Sequence, residues 1–148
     1  MIVLGFTGTS RTVLPCQQRA ALEHYIKSHL KPLHIDYAIH GGADEGDDVF
    51  HNLCVGLGIT VHVWPSEKQK GKKWPGISVI VHPITPGTPL NRNRIIVAHA
   101  TLMIACPKEH AEVLRSGTWA TVRYTRAAHK PITMIYPNGE IRHNANET

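Results

Sequence analysis

The feature that most constrains this sequence is an alternation of short apolar segments, Gly-containing loops and amphipathic helical segments in its N-terminal half. Apolar residues dominate positions 2–6, 35–39 and 59–64, a length typical of buried strands. Between them, residues 15–29 and 47–57 carry apolar side chains at helical spacing. The resulting β-α-β-α-β order predicts parallel strands joined by right-handed crossovers.

The C-terminal half continues the alternation after an irregular segment. The pattern predicts, in order, a helix over 91–99, a strand over 101–105, a helix over 117–129 and a strand over 132–136. The fold class is therefore α/β with a mostly parallel sheet. The 148 residues suit one domain, and we predict residues 1–141 for it. Residues 142–148 have no apolar anchor and are expected to form a flexible tail.

The chain is basic, with a formal net charge of +5 and eleven histidines. Much of the charge lies in the irregular segment 65–90, which has five prolines, four lysines within 68–73, and a possible short strand over 77–81. A basic surface favours polyanions, and composition does not choose between a small phosphate ligand and a nucleic acid. Single-stranded nucleic acid is thus one candidate partner, with Trp64 or Trp74 as a stacking platform.

The cysteines and the apolar segments limit the compartment and the chemistry. Cys16, Cys54 and Cys106 are odd in number and lack CxxC spacing, which argues against disulfides and a zinc site. We expect a reducing, cytoplasmic location, no membrane span, no metal and no cofactor. The histidines show no HExxH spacing, and no Gly-x-Ser-x-Gly motif is present.

The first candidate binding segment follows the first predicted strand. In a parallel α/β sheet, ligands bind beyond the carboxyl ends of the strands. Gly8 permits close backbone approach, Thr9 and Ser10 supply hydroxyl groups, and Arg11 can pair with a phosphate. A tight turn with a helix N-cap is the structural alternative. The segment does not match GxGxxG, so a dinucleotide fingerprint is not met.

The second candidate segment opens the helix predicted at 47–57. Gly41 and Gly42 let a ligand approach the backbone, and the helix N-terminus favours anions. Asp44 and Asp47 can accept hydrogen bonds from ribose hydroxyls or cap the helix, and the sequence leaves both roles open.

Two further segments complete the candidate site. Residues 91–94 place two arginines at a helix N-terminus, against the helix dipole, which suggests a nearby anion for Arg94, although a solvated basic turn is the alternative. Ser116, Gly117 and Thr118 have the composition of a phosphate cradle, although Ser116 can also be a simple N-cap.

Taken together, these four segments resemble the SLOG superfamily, which includes the DNA-processing protein A family and the LOG (Lonely Guy) proteins. The resemblance covers residues 2–139 and implies a Rossmann-like three-layer sandwich that binds nucleotides, nucleotide-sugars or nucleic acid. The phosphate and ribose contacts that it implies are Gly8, Thr9, Ser10, Arg11, Gly41, Gly42, Asp44, Arg94, Ser116, Gly117, Thr118 and Thr121. LOG phosphoribohydrolases carry a catalytic Glu in Pro-Gly-Gly-x-Gly-Thr-x-x-Glu, where this chain has Thr121.

The leading hypothesis is a module that binds a nucleotide or nucleotide-derived ligand, such as an ADP-ribose-like or cyclic nucleotide signal. By analogy with SLOG domains of antiviral signalling, it would act as a sensor or sequestering module. An alternative is an N-glycosidase of nucleoside monophosphates, with Asp44 or Asp47 replacing the missing Glu. The superfamily also suggests a homo-oligomer.

Overall fold

The computed structural model describes residues 1–143. Its helices and strands are β1 (Val3–Gly8), α1 (Cys16–Tyr25), β2 (Tyr37–His40), α2 (Gly46–Gly56), β3 (Val61–Val63), β4 (Val79–Val81), α3 (Pro89–His99), β5 (Leu102–Cys106), α4 (Gly117–Ala127), β6 (Ile132–Ile135) and β7 (Ile141–His143). A π-helical turn, Ile26–Leu30, and a 3-10 turn, Lys31–Leu33, extend α1, and a second 3-10 turn, Glu67–Gln69, follows β3.

The strands form one sheet in the order β4-β3-β2-β1-β5-β6-β7. All neighbouring pairs are parallel except β6 and β7, which are antiparallel. The chain builds outward from β1 through β2, β3 and β4, and then crosses to the other side of β1 to form β5. Strand order therefore reverses beside β1, which is where ligands bind in open α/β sheets.

Apolar side chains cover both faces of the sheet. On one face, Leu22 of α1 and Phe50 of α2 belong to the same buried cluster as Leu4 and Phe6 of β1, and the Phe6 and Phe50 rings stack 4.5 Å apart. On the other face, Ile96 of α3 and Trp119 of α4 join a second cluster. The predicted fold class, an α/β Rossmann-like three-layer sandwich with a mostly parallel sheet, is confirmed.

The structure refines two predictions, one for the segment 77–81 and one for residues 142–148. The short strand expected within 77–81 is β4, at the sheet edge. The tail expected at 142–148 is wrong for its first two residues, because Arg142 and His143 pair with β6 in β7, which sequence periodicity did not reveal. The other residues of that prediction, 144–148, lie outside the described residues. Within residues 1–143, no helix is long and apolar enough to cross a membrane.

Candidate ligand-binding site

A cavity of about 720 Å³ opens at the carboxyl ends of β1, β2 and β5. Nine of the residues expected at the site line it: Gly8, Thr9, Ser10, Arg11, Gly41, Asp44, Ser116, Gly117 and Thr118. Gly42, Arg94 and Thr121 do not line it. The lining also includes Asp47, the weaker catalytic candidate, and several residues that the sequence analysis did not select: Lys68, Gln69, Arg92, Asn93, Lys108, Glu109 and Arg115.

The segment after β1 is held between two neighbours. The N–H group of Thr9 donates to the Cys106 carbonyl at 3.2 Å, and the Thr9 carbonyl accepts from the Gly46 N–H at 3.0 Å. A Cβ atom at Gly46 would lie 3.0 Å from the Thr9 carbonyl oxygen, so a glycine allows α2 to approach this closely. Within residues 1–143, the N–H groups of Ser10 and Arg11 have no acceptor, and both residues line the cavity.

The N-terminus of α4 also leaves backbone donors unused. Ser116 is the N-cap, and its hydroxyl accepts from the Trp119 N–H at 3.2 Å. In the described part of the chain, the N–H groups of Gly117 and Thr118 have no acceptor, and both line the cavity. The exposed cations Lys108 and Arg115 also line it. Helix dipole, free N–H groups and cationic side chains together favour an anion.

Thr121, at the position of the LOG glutamate, is buried below the cavity. Its side chain is 1% exposed, and its hydroxyl donates to the Gly117 carbonyl at 2.9 Å. Glu109 is an acidic residue that also lines the cavity, and it accepts from the Trp119 indole N–H at 3.0 Å. Thr121 therefore supports the first turn of α4, since its hydroxyl is already engaged.

Carboxylates from the first turn of α2 hold the segment that leads into the helix. Asp47 Oδ2 accepts from the Ala43 N–H at 2.9 Å, and Asp48 Oδ2 accepts from the Glu45 N–H at 3.1 Å. Asp44 and Asp48 both pair with Lys72 of the basic segment, at 2.8 and 3.0 Å. Asp47 therefore fastens the segment that precedes α2, since the N–H group that it accepts from belongs to Ala43.

A buried pair of histidines supports the second Gly-rich segment from below. The Gly42 N–H donates to His40 Nδ1 at 3.0 Å, so the neutral His40 ring carries its proton on Nε2. His40 Nε2 then donates to His51 Nδ1 at 2.9 Å, and His51 Nε2 donates to the Pro75 carbonyl at 2.7 Å. Burial lowers the pKa of His40 well below its usual range, with His51 adding to the effect. Gly42 is therefore part of the support and lies outside the cavity.

Arg92, rather than the expected Arg94, is the arginine of α3 that lines the cavity. Its side chain is 4% exposed and donates from Nη1 to the carbonyls of Gly41 and Trp64, the latter at 3.1 Å. A Cβ atom at Gly41 would overlap the Arg92 guanidinium, which explains the glycine there. Arg94 instead lies over the Tyr124 ring, 3.9 Å from its centroid. The sequence did contain a signal for choosing Arg92 over Arg94. Arg92 lies four residues before the buried Ile96 and therefore shares the buried face of the helix.

Asp47 combines burial with a position in the cavity wall. Its side chain is almost inaccessible, and desolvation raises its pKa to about 7, although Arg92 and the Ala43 N–H both favour the ionised form. A carboxyl group with a pKa near neutrality in a cavity can hold or transfer a proton under physiological conditions.

The tryptophans of the basic region already have ring partners. Trp64 stacks on His82 with centroids 4.0 Å apart and contacts His99 at 5.4 Å. Lys72 lies over Trp74, 4.2 Å from the ring centroid. This arrangement does not favour base stacking on either tryptophan. Among residues 1–143, no cluster of His, Cys, Asp or Glu is suited to a metal ion.

Comparison with known proteins supports the fold. No family model matches the chain, and no curated protein matches it. Among solved structures, the chain is similar to the structural genomics target TM1055 (16% identity, TM-score 0.66, 89% of this chain and 72% of that one). It is also similar to the molybdenum cofactor binding protein of Rippkaea orientalis (18%, 0.65, 91% and 76%) and to DNA processing protein A of Streptococcus pneumoniae (14%, 0.66, 90% and 50%).

These similarities establish the fold of the chain. The chain shares the Rossmann-like fold of these three structures, and the fold that the resemblance of its four segments implies is confirmed. It spans half the length of DNA processing protein A. At 14–18% identity the ligand is not transferred with the fold.

Proposed function

We propose that this protein binds a nucleotide or nucleotide-derived ligand in the cavity and serves as a sensor or sequestering module for an ADP-ribose-like or cyclic nucleotide signal. One observation carries the proposal. The free N–H groups of Ser10, Arg11, Gly117 and Thr118 belong to two different segments that line one cavity. Converging backbone donors are the usual means of holding phosphate oxygens.

Charged side chains of both signs line the cavity. Arg11, Lys108 and Arg115 accompany the free N–H groups and would balance the phosphates. Asp44 lines it beside α2, where a carboxylate suits ribose hydroxyls. A volume of about 720 Å³ lies within the range of small-molecule pockets. The names of two similar structures, a molybdenum cofactor binding protein and a DNA processing protein, are compatible with such a ligand.

Calorimetry tests the proposal. The wild-type chain is titrated with ADP-ribose, cyclic nucleotides and nucleoside monophosphates, and at least one is expected to bind with a Kd in the micromolar range or below. Replacing Lys108 and Arg115 together by Ala should weaken that ligand about 30-fold or more, because two phosphate partners are lost. Arg19→Ala, on the exposed side of α1, is the matched control and should bind normally. No binding tighter than millimolar by the folded protein would reject the proposal.

A second candidate is hydrolysis of the N-glycosidic bond of a nucleoside monophosphate. It is favoured by Asp47, whose buried carboxyl group has a pKa of about 7 and lines the cavity. Chromatographic detection of free base released from AMP and related nucleotides tests this function. We expect Asp47→Asn to abolish release, and equal release by the double variant Asp44→Asn/Asp47→Asn would rule the mechanism out.

We also propose a homo-oligomer, since the edge strand β4 leaves Ile80 and Val81 about half exposed, with Ile77 fully exposed beside them. Light scattering after size-exclusion chromatography would show a multiple of the 16.4 kDa chain mass, and a monomer would contradict it.

A further inference from the structure

Asp47 is a buried carboxyl group with one unsatisfied oxygen in the wall of an anion-attracting cavity. Oδ2 accepts from the Ala43 N–H at 2.9 Å and lies 3.9 Å from His40 Nδ1. Oδ1 has no hydrogen-bond partner in the part of the chain that the structure describes. The residue is 5% exposed and lines the cavity, so this oxygen can reach a ligand but very little bulk water.

The groups that surround Asp47 do not neutralise it. From β2, His40 is uncharged, because its Nδ1 accepts the Gly42 N–H and burial opposes a second proton. From β5, Cys106 contributes a buried thiol whose pKa is raised by burial and by Asp47 itself. From its own helix, Asp48 adds negative charge.

The two cations nearby are engaged elsewhere. Arg92, from α3, donates from Nη1 to the carbonyls of Gly41 and Trp64. Lys72, from the basic segment, pairs with Asp44 and Asp48. Both cations act on Asp47 through space, yet neither forms an ion pair with it within residues 1–143. The remaining way to neutralise the carboxylate is a proton.

We propose that Asp47 takes up a proton from solvent when an anionic ligand enters the cavity, so that the ligand meets a neutral carboxyl group in place of a carboxylate. An anion in the same low-dielectric cavity raises the cost of a second negative charge. The proton binds Oδ1, which then donates a hydrogen bond to the ligand. The site therefore selects a ligand that presents an acceptor oxygen to Asp47, and it binds anions more tightly as pH falls. This inference rests on the proposed function.

The probe is ADP-ribose, because its diphosphate does not titrate near neutral pH. Calorimetry in two buffers of different ionisation enthalpy measures the protons bound with the ligand. Since the pKa of Asp47 is about 7, we expect uptake of about half a proton per ligand at pH 7, rising towards one at about pH 8. Affinity should fall by up to about tenfold per pH unit over the same interval.

Two variants separate Asp47 from the rest of the chain. Asp47→Asn keeps the shape and the acceptor for the Ala43 N–H, and it should bind the ligand with no proton uptake and no pH slope. Glu23→Gln removes an exposed carboxylate of α1 that pairs with Lys27, and it should retain wild-type uptake. A thermal melt of each variant at the titration pH checks that the protein is folded.

Carbon-13 NMR of the Asp47 carboxyl group gives a second measurement with sulfate, which is also a non-titrating anion. Saturating sulfate should move the Asp47 titration midpoint upward by about two pH units, the shift that uptake of nearly one proton at pH 8 requires. Binding without proton uptake, or equal uptake by Asp47→Asn, would overturn the inference and leave the proposed function standing. If neither ADP-ribose nor sulfate binds at any pH, this mode of anion binding fails together with the inference.

Discussion

The helices α2 and α4 both begin with a glycine and both open onto the same cavity, but their N-termini are arranged in opposite ways. At α2, Asp47 and Asp48 accept backbone hydrogen bonds at the helix entrance, and the Gly46 N–H donates to Thr9. At α4, the first turn contains no acidic residue. Its first two N–H groups have no acceptor in the described part of the chain.

The N-termini of α2 and α4 therefore differ in how strongly they can attract an anion. At the α2 N-terminus two carboxylates already lie at the positive end of the helix dipole, and the first N–H group is bonded to the Thr9 carbonyl, so less is left to attract a phosphate. The α4 end retains both its dipole and its donors, and it therefore attracts an anion. The two glycine-containing segments thus differ: the α2 end carries its own carboxylates, whereas the α4 end leaves two backbone donors without an acceptor in the described part of the chain.

Making α4 resemble α2 should have the largest effect. Gly117→Asp places a carboxylate at the first helical position, and a Cβ atom there meets no neighbour within 4 Å. The new charge would satisfy the free donors and repel the ligand, so binding should weaken about 100-fold or more in calorimetry, while the helix itself gains about 0.5 kcal/mol. Gly117→Asn, of equal size and no charge, should lose less than about fivefold. Equal losses for the two variants would mean that charge at this helix end is not what binds the ligand.

Asp47→Asn tests how much the buried carboxylate at the start of α2 lowers the free energy of unfolding. With its pKa raised to about 7, wild-type Asp47 binds more protons when folded than when unfolded between about pH 4 and 7, so its contribution to stability falls as pH rises. The amide removes the buried charge, and the free energy of unfolding at pH 8 should rise by about 2 kcal/mol in urea titrations. An unchanged or lower value at pH 8 would show that the carboxylate is well solvated.

His40 makes the opposite contribution to the same pH profile. Its pKa is lowered by burial, so its stabilising contribution is present above about pH 6.5 and is lost as pH falls. In wild type the two groups therefore act in opposite directions as pH falls below about 6.5. In Asp47→Asn the His40 effect is unopposed, and stability should fall by up to about 1.4 kcal/mol per pH unit below 6.5.

Local patterns predicted most elements of this fold and the order of its candidate binding segments. Apolar periodicity was sufficient for β1, β2, β3, β5, β6 and the four helices, because each follows from its own residues, and it indicated β4 only as a possibility. Periodicity did not predict the strand β7, because Ile141–His143 is short and is defined by its pairing with β6. The His40–His51 bond and the Arg92 contact with Gly41 join residues far apart in sequence, and no local pattern encodes them.

Arg92 and Arg94 offer a direct comparison between the sequence prediction and the structure. Arg92 fastens the Gly41 segment of the α2 end through Nη1, whereas Arg94 contacts Tyr124 outside the cavity. Arg92→Lys cannot reproduce the fork of donors and should weaken ligand binding about tenfold. Arg94→Lys should change it by less than about twofold, as measured by calorimetry. The reverse ranking would restore Arg94 as the phosphate contact.

The smallest expected effect concerns backbone strain at the entrance of α2. Glu45, its N-cap, has φ 61° and ψ −96°, a region that non-glycine residues rarely occupy, while Ser116 at the entrance of α4 is in ordinary extended backbone. Glu45→Gly should therefore stabilise the protein by about 1 kcal/mol, after allowance for the greater freedom of glycine in the unfolded chain. Glu45→Ala loses the same side chain without relieving the backbone and should be the less stable of the two in urea titrations. If the alanine variant is equal or better, the conformation is not strained, and the α2 end and the α4 end differ in charge alone.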